Sequence, residues 1–299
     1  MPARQPVYLI DASIFIFRGW FGIPDSLRNG NGMPVNALTG FGHFIADFLA
    51  ATQARRLAAF FDESLGSSFR HELYPNYKSN REYPPVELER QFQLCKQLLK
   101  LLGIRCFASR RYEADDLIAS AAYRLRSRGW PVTIVSADKD LAQCLESSRD
   151  RFWNFGKSDP QDASAIARKL GVAPPQIADY LALAGDSVDC IPGIKGVGRQ
   201  TASRLLKHYS SLDNLLNHAG PQPDLGIRGQ AAILKRIKQC RGELAVYRKL
   251  TGLKRCCLTR QQANEQLLSR RKMKRSQLAG FLESELRPAS RLTTRLLSL

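Results

Sequence analysis

The sequence predicts an α/β fold: a mainly parallel sheet in the first half, followed by an α-helical second half. Three observations carry this expectation. Short apolar runs of strand length alternate with stretches of helical period over residues 7–146. From about residue 161 the strand signal largely disappears. Acidic side chains fall at or near the ends of apolar runs, and strand ends of a parallel sheet converge on the edge where ligands bind.

The elements follow in order. VYLI (7–10) reads as a buried strand, and GFGHFIADFLAATQA (40–54) as an amphipathic helix. FIFRGWF (15–21) between them reads mostly as core. Residues 57–61 form a second strand, and a polar, aromatic, Pro-containing segment spans 63–85. VELERQFQLCKQLLKLL (86–102) has helical period and stops at Gly103, a suitable C-cap. Residues 104–107 suit a short strand, 114–128 a helix ending before Gly129, 132–136 a third clear strand, and 139–146 the start of another helix. Beyond them 161–170, 175–184, 199–209 and 230–250 read as helices. This divides the chain into an α/β unit (1–160), a helical unit (161–260) and a basic, weakly patterned tail (261–299) expected to be mobile.

Charge sharpens the picture. The formal net charge is +18, unevenly placed. Residues 1–190 hold 23 Lys and Arg against 21 Asp and Glu; residues 191–299 hold 22 against 6. A basic surface behind an acidic centre suits a polyanionic substrate. The seven cysteines show no CxxC spacing, and Cys256-Cys257 is a poor metal or disulfide signature. The N-terminus enters a strand at once, without a signal-peptide pattern, and no apolar stretch approaches membrane-spanning length. The expectation is a cytoplasmic protein with reduced thiols and no membrane partner.

The candidate chemistry lies in nine carboxylates: Asp11, Asp62, Glu113, Asp115, Asp116, Asp138, Asp140, Asp186 and Asp189. Brought to one edge they would repel one another and be driven to protonate unless multivalent cations intervene. A cluster of oxygen ligands without Cys or His suits Mg²⁺ or Mn²⁺, so the chain reads as a metal-dependent enzyme acting on phosphate esters. Acids at 113–116 also favour a helix N-terminus, and Asp138 suits an N-cap, which leaves Asp140 surplus to capping. IPGIKGVGRQTASRLL (191–206) has the pattern of a helix–hairpin–helix, in which Gly196 and Gly198 let backbone approach a phosphate and Lys195 and Arg199 add charge. In FRHELYPNYKSNREYPP (69–85), Arg70, Lys78 and Arg81 interleave with Phe69, Tyr74, Tyr77 and Tyr83, a mixture suited to single-stranded nucleic acid.

The ordered set LIDAS, FFD, FRHELYPNYKSNRE, YEADDL, SADKDL and GDSVDCIPGIKGVGRQTA resembles the 5′-nuclease domain of bacterial DNA polymerase I and the wider flap-endonuclease family, over roughly residues 5–255. The resemblance implies a PIN-like α/β nuclease domain, an arch or clamp (63–95) over the active site, and a helix–hairpin–helix subdomain. It implies two or three divalent ions. Asp11, Asp62, Glu113, Asp115 and Asp116 match the first metal group; Asp138, Asp140, Asp186 and Asp189 match the second. Arg18, Lys78 and Arg81 align with basic residues that contact the phosphate, Tyr77 with a stacking tyrosine, and Lys195–Gly198 with the element that holds the downstream duplex, often with K⁺. The implied activity is 5′→3′ exonuclease and flap endonuclease on DNA with a 5′ flap, nick or 5′ end, RNA–DNA hybrids included. The expected protein is a free-standing monomer near the bacterial nucleoid with a functional link to a DNA polymerase. Cys190 departs from the pattern, since many relatives have Asn there. A toxin-like PIN ribonuclease and a non-enzymatic DNA-structure binder are the competing readings.

Overall fold

The computed structural model describes residues 4–299 except Leu65, Glu265, Leu267 and 287–289. Five parallel strands, β1 (Val7–Asp11), β2 (Leu57–Asp62), β3 (Arg105–Ser109), β4 (Val132–Val135) and β5 (Arg151–Trp153), form one sheet in the order β3-β2-β1-β4-β5. Both faces are covered, so alternate side chains enter different cores. Val7, Leu9, Ala58, Phe60, Val132 and Ile134 face one; Ile10, Leu57, Ala59, Phe61 and Val135 face the other.

The second core is built by α1 (Ala12–Gly22), α2 (Asn36–Thr52) and α4 (Val86–Leu101). The short α3 (Phe69–Leu73) lies between β2 and α4. The first core is built by α5 (Ala114–Arg126) and continues without a break into the helical region. That region holds α6 (Ala163–Leu170), α7 (Ile177–Ala184), α8 (Arg199–Tyr209), α9 (Leu212–Asn217), α10 (Gln230–Gln239) and α11 (Arg241–Thr251). Helix α7 sits at its centre, against α8 and α11.

The stretch 12–22, read from sequence only as mostly core over 15–21, is helical and starts directly at Asp11 with no loop. Two helices depart from the sequence expectation. The helix expected over 139–146 is a 3₁₀ turn, Lys139–Cys144, with Asp138 as its N-cap accepting from the Asp140 N–H (2.9 Å). The helix expected over 230–250 breaks at Cys240, which caps α10 and opens α11.

The largest correction concerns 261–299. Two further helices, α12 (Arg275–Glu285) and α13 (Arg291–Leu297), return to the first half of the chain. They bury Leu278, Phe281, Leu282, Leu292 and Leu296 in the core shared with α2 and α4. Basic exposed positions mask an apolar stripe, so the segment is a structural layer. Among the described residues, no helix is long and apolar enough to cross a membrane.

Candidate active site

The parallel sheet brings its acids to one edge. Asp11 ends β1 and Asp62 ends β2. Glu113 caps the N-terminus of α5 after β3, and Asp138 follows β4. Serines hold this edge in place. Ser136 Oγ donates to Asp11 Oδ2 (2.8 Å) and accepts from the Asp138 N–H (2.9 Å). Ser13 Oγ accepts from the Asp62 N–H (3.0 Å), while Ser64 donates to Asp62 Oδ1 through its hydroxyl (2.7 Å) and its N–H (3.1 Å). Sequence reasoning passed over Ser13, Ser64 and Ser136; their place within two residues of an acid at a strand end was the available signal.

The carboxylates feel one another. Burial, with Asp138 and Asp62 nearby, pushes the Asp11 carboxyl up to about 7 against the Ser136 hydrogen bond. Asp140 rises to about 8 through burial and the charges of Asp138, Asp186 and Asp189. Asp115 is pushed well above the carboxylate range by burial, then by Asp138 and Asp11. Such crowding on all-oxygen donors fits hard divalent cations, which would let these groups ionise together. Asp186 stands at the hairpin after α7, its backbone paired with Ile191 and its Oδ1 accepting from the Val188 N–H (2.9 Å).

Glu113 and Asp189 are held differently. Lys78 Nζ lies 2.8 Å from Glu113 Oε2 and 3.9 Å from Asp189 Oδ2; Arg81 Nη2 lies 2.9 Å from Asp189 Oδ1. Burial works to raise the Glu113 carboxyl, but Lys78 and Arg70 outweigh it and hold the group below the ordinary range. Lys78 has a left-handed backbone (φ 53°), and its N–H donates to the Asp189 carbonyl (3.1 Å). Strained geometry of this kind persists where surrounding contacts over-determine it. Among the described residues no three His, Cys, Asp or Glu side chains converge in ligating geometry; the Lys78 and Arg81 cations sit against Glu113 and Asp189. Of the expected arch, α4 is packed into the core, which leaves residues 74–85 as the part lying over the site. Arg18 is apart from this group: it donates to the Phe155 carbonyl (3.1 Å) and to Asn154 Oδ1 (2.9 Å).

Three expected roles are displaced. Arg70, expected on DNA, is 2% exposed and forms a bidentate pair with Asp116 (2.6 and 2.9 Å). Asp116, expected on metal, is 0% exposed; it also accepts from the Lys254 N–H (2.9 Å) and completes the α5 capping box. Arg70 further donates to the Leu250 and Gly252 carbonyls (2.8 and 3.2 Å), so this pair ties the end of α11 to α3 and α5. Tyr77, expected to stack on a base, is 2% exposed, and its hydroxyl lies within reach of Glu113 Oε2 (3.1 Å) and Asp189 Oδ2 (3.0 Å). In the same segment as Tyr77, Tyr83 is 79% exposed; Phe17 (38%) and Phe21 (81%), in the stretch read from sequence mostly as core, are exposed on α1.

At the hairpin, Lys195, Gly196, Gly198 and Arg199 are exposed ahead of α8. A Cβ on Gly193 (φ 66°) would come 2.2 Å from the Gly185 nitrogen, so Gly193 serves the turn itself; a Cβ on Gly198 would meet open space. The Lys195 carbonyl accepts from Arg236 Nη1 (2.6 Å) on α10. Cys190 also adopts the left-handed region (φ 57°), where Asn is at home, which accounts for Asn in the family pattern.

The raised carboxyls make stability depend on pH. Between about pH 4 and pH 8 the metal-free folded protein holds protons on Asp11 and Asp140 that the unfolded chain has released. Stability therefore falls as pH rises through that window. Calorimetry of metal-free protein is expected to give a higher Tm near about pH 6 than near about pH 8.5, with Mg²⁺ raising Tm more at the higher pH. A flat or inverted profile would contradict the crowding of these acids.

Residues 6–171 match the family described as 5′-3′ exonuclease, N-terminal resolvase-like domain, and residues 172–275 match 5′-3′ exonuclease, C-terminal SAM fold. The chain is 37% identical over 214 residues to the 5′-3′ exonuclease of Aquifex aeolicus, covering 72% of this chain and 73% of that protein. It is 38% identical over 226 residues to the DNA polymerase I of Rhizobium leguminosarum, covering 73% of this chain but only 22% of that longer protein. In fold it is similar to the bacteriophage T5 flap endonuclease solved with DNA and metal ions (TM-score 0.65, 18% identity, 99% of this chain and 100% of that one). It is also similar to the catalytic core of Rad2 in complex with DNA substrate (TM-score 0.64, 16% identity, 99% and 91%). With both domains matched in order around one carboxylate edge, the chain belongs to the 5′-3′ exonuclease family.

Proposed function

We propose that this chain hydrolyses phosphodiester bonds near the 5′ end of DNA, as a 5′→3′ exonuclease and flap endonuclease that also accepts RNA–DNA hybrids. The observation that supports this most is the gathering of Asp11, Asp62, Glu113, Asp115 and Asp138 at one edge of a parallel sheet, with Asp140, Asp186 and Asp189 beside them. These eight acids would hold two or three Mg²⁺ or Mn²⁺ ions, which when bound supply Lewis-acid activation of water and stabilise the developing charge. Asp116 is left out, because Arg70 already takes it. With Glu113 and Asp189 turned to metal, Lys78 and Arg81, now paired with them, would be free to face the scissile phosphate and steady its charge. Arg18, held at the end of β5, adds positive potential at the same edge. Lys195, Gly196, Gly198 and Arg199 hold the downstream duplex through its phosphates, which carry no base information. A K⁺ ion at the same hairpin would add to this contact, beside Arg236 on the Lys195 carbonyl. The protein would act as a monomer in the cytoplasm, at the nucleoid, on intermediates that a DNA polymerase generates.

The test is cleavage of a 5′-labelled flap beside a blunt duplex and an RNA–DNA hybrid, with Mg²⁺ and with chelator. Metal-dependent release of short 5′ products is expected; cleavage in chelator, or of internal RNA sites alone, would sink the reading. Tyr83 is proposed as the base-stacking aromatic in place of Tyr77. Tyr83→Ala is expected to weaken single-strand binding by about 1–3 kcal/mol while sparing blunt duplex. Equal losses on both ligands in a titration would remove Tyr83 from that role.

A further inference from the structure

The opposite edge of the sheet carries a second concentration of charge. Residues 269–275 cross the amino-terminal end of the strands as a strap. The Arg270 N–H donates to the Arg55 carbonyl (2.8 Å), that of Arg271 to the Gly103 carbonyl (2.9 Å), and that of Lys274 to the Leu101 carbonyl (3.0 Å). A Cβ on Gly103 would come 2.2 Å from the Arg271 carbonyl oxygen, so the strap lies tightly on the end of α4. Between this strap, the end of α2 and residues 298–299 lies a cavity of about 1180 Å³. Arg55, Arg56, Arg270, Arg271, Lys272 and Arg275 line it, and no Asp or Glu does. The Arg56 Nε is buried without a hydrogen-bond partner. The Arg4 and Arg56 guanidiniums lie 4.8 and 4.5 Å from the Trp130 ring, which carries the positive charge along the same edge.

We propose that this cavity is a second nucleic-acid site, which takes the phosphate backbone of a single strand while the acidic edge is occupied. Arg270 and Arg275 donate to the Leu102 and Leu297 carbonyls (3.0 and 2.9 Å), but no Asp or Glu in the lining offsets the charge, so the cavity attracts anionic ligands. Guanidinium forks match phosphate oxygens in pairs, and five of the six basic residues are arginines. The volume exceeds that of the usual small-molecule site, roughly 300–1,000 Å³, which favours a stretch of polymer over one nucleotide. Strands of five and six residues separate the two edges by about 17–20 Å, so a strand here is a separate segment from the one being cut. The inference rests on the chain acting on nucleic acid but not on cleavage itself, since binding is read without divalent metal.

The experiment uses the full chain in chelator with labelled oligothymidylates too short to span both edges. Wild type is expected to bind two per chain. The variant Arg55→Gln/Arg271→Gln/Lys272→Gln changes exposed side chains away from the catalytic edge; it is expected to bind one. Its single-strand salt slope should be smaller by about 2, at roughly 0.7 per phosphate contact. Flap cleavage with Mg²⁺ should keep its wild-type rate, which separates failure of this site from failure of the catalytic reading. One oligonucleotide per wild-type chain, or an unchanged stoichiometry and slope in a variant with wild-type melting, overturns the proposal. A competitor arm uses inorganic polyphosphate of matched charge; equal or tighter binding of polyphosphate at this site overturns the assignment to a nucleic-acid strand.

Discussion

Asp140→Asn is expected to abolish cleavage while leaving DNA binding intact or slightly tighter. Asp140 sits among Asp138, Asp186 and Asp189, whose charges together with burial push its carboxyl up to about 8. A cation at this point is what would keep all four ionised, and asparagine offers a weaker, uncharged oxygen. We expect turnover to fall by about a thousandfold, about 4 kcal/mol of transition-state stabilisation. Binding moves the other way, because one negative charge facing the phosphates has gone. Single-turnover cleavage at saturating Mg²⁺ with a parallel binding titration checks both arms. Wild-type turnover would remove Asp140 from the metal assignment, and loss of binding alone would make it a structural residue.

Arg70→Met is expected to cost stability on the scale of the whole fold. The substitution removes the guanidinium and leaves Asp116 fully buried with only backbone N–H donors, from Glu113 and Lys254. Breaking one side of a buried ion pair typically costs about 3–5 kcal/mol, a large share of the roughly 5–15 kcal/mol that holds a domain together. The carbonyls of Leu250 and Gly252 also lose their donor. Replacing both partners, Arg70→Met with Asp116→Leu, should recover much of the loss, because no charge is then stranded. Urea unfolding of the three variants measures this. A single-variant loss below about 1 kcal/mol, with DNA affinity reduced instead, would return Arg70 to the DNA surface.

That pair also marks where the sequence stopped being informative. Asp11, Asp62 and Asp138 were legible because each follows an apolar run, and parallel strands have only one carboxyl edge. Asp115 and Asp116 are neighbours in one helical turn, about 100° apart in direction; a string of acids does not show which faces the edge and which the interior. Tyr77 and Tyr83 lie in one irregular segment without periodicity, so burial could not be assigned to either. The α1 stretch is apolar on all sides and carries no amphipathic signal. In α12 and α13 the apolar stripe is diluted by basic residues, and their partners on α2 and α4 lie at the far end of the chain. Long-range packing of this kind leaves no local signature.

The return of α12 and α13 has a consequence for how the protein is made. A ribosome releases α2 and α4 long before Leu278, Phe281, Leu292 and Leu296 exist to cover them. The nascent chain must therefore carry an uncovered apolar flank until α12 and α13 emerge, a flank on which chaperones or neighbouring nascent chains can settle. The amino-terminal layer is closed only after α12 and α13 have emerged, so its folding waits on residues far downstream in the chain.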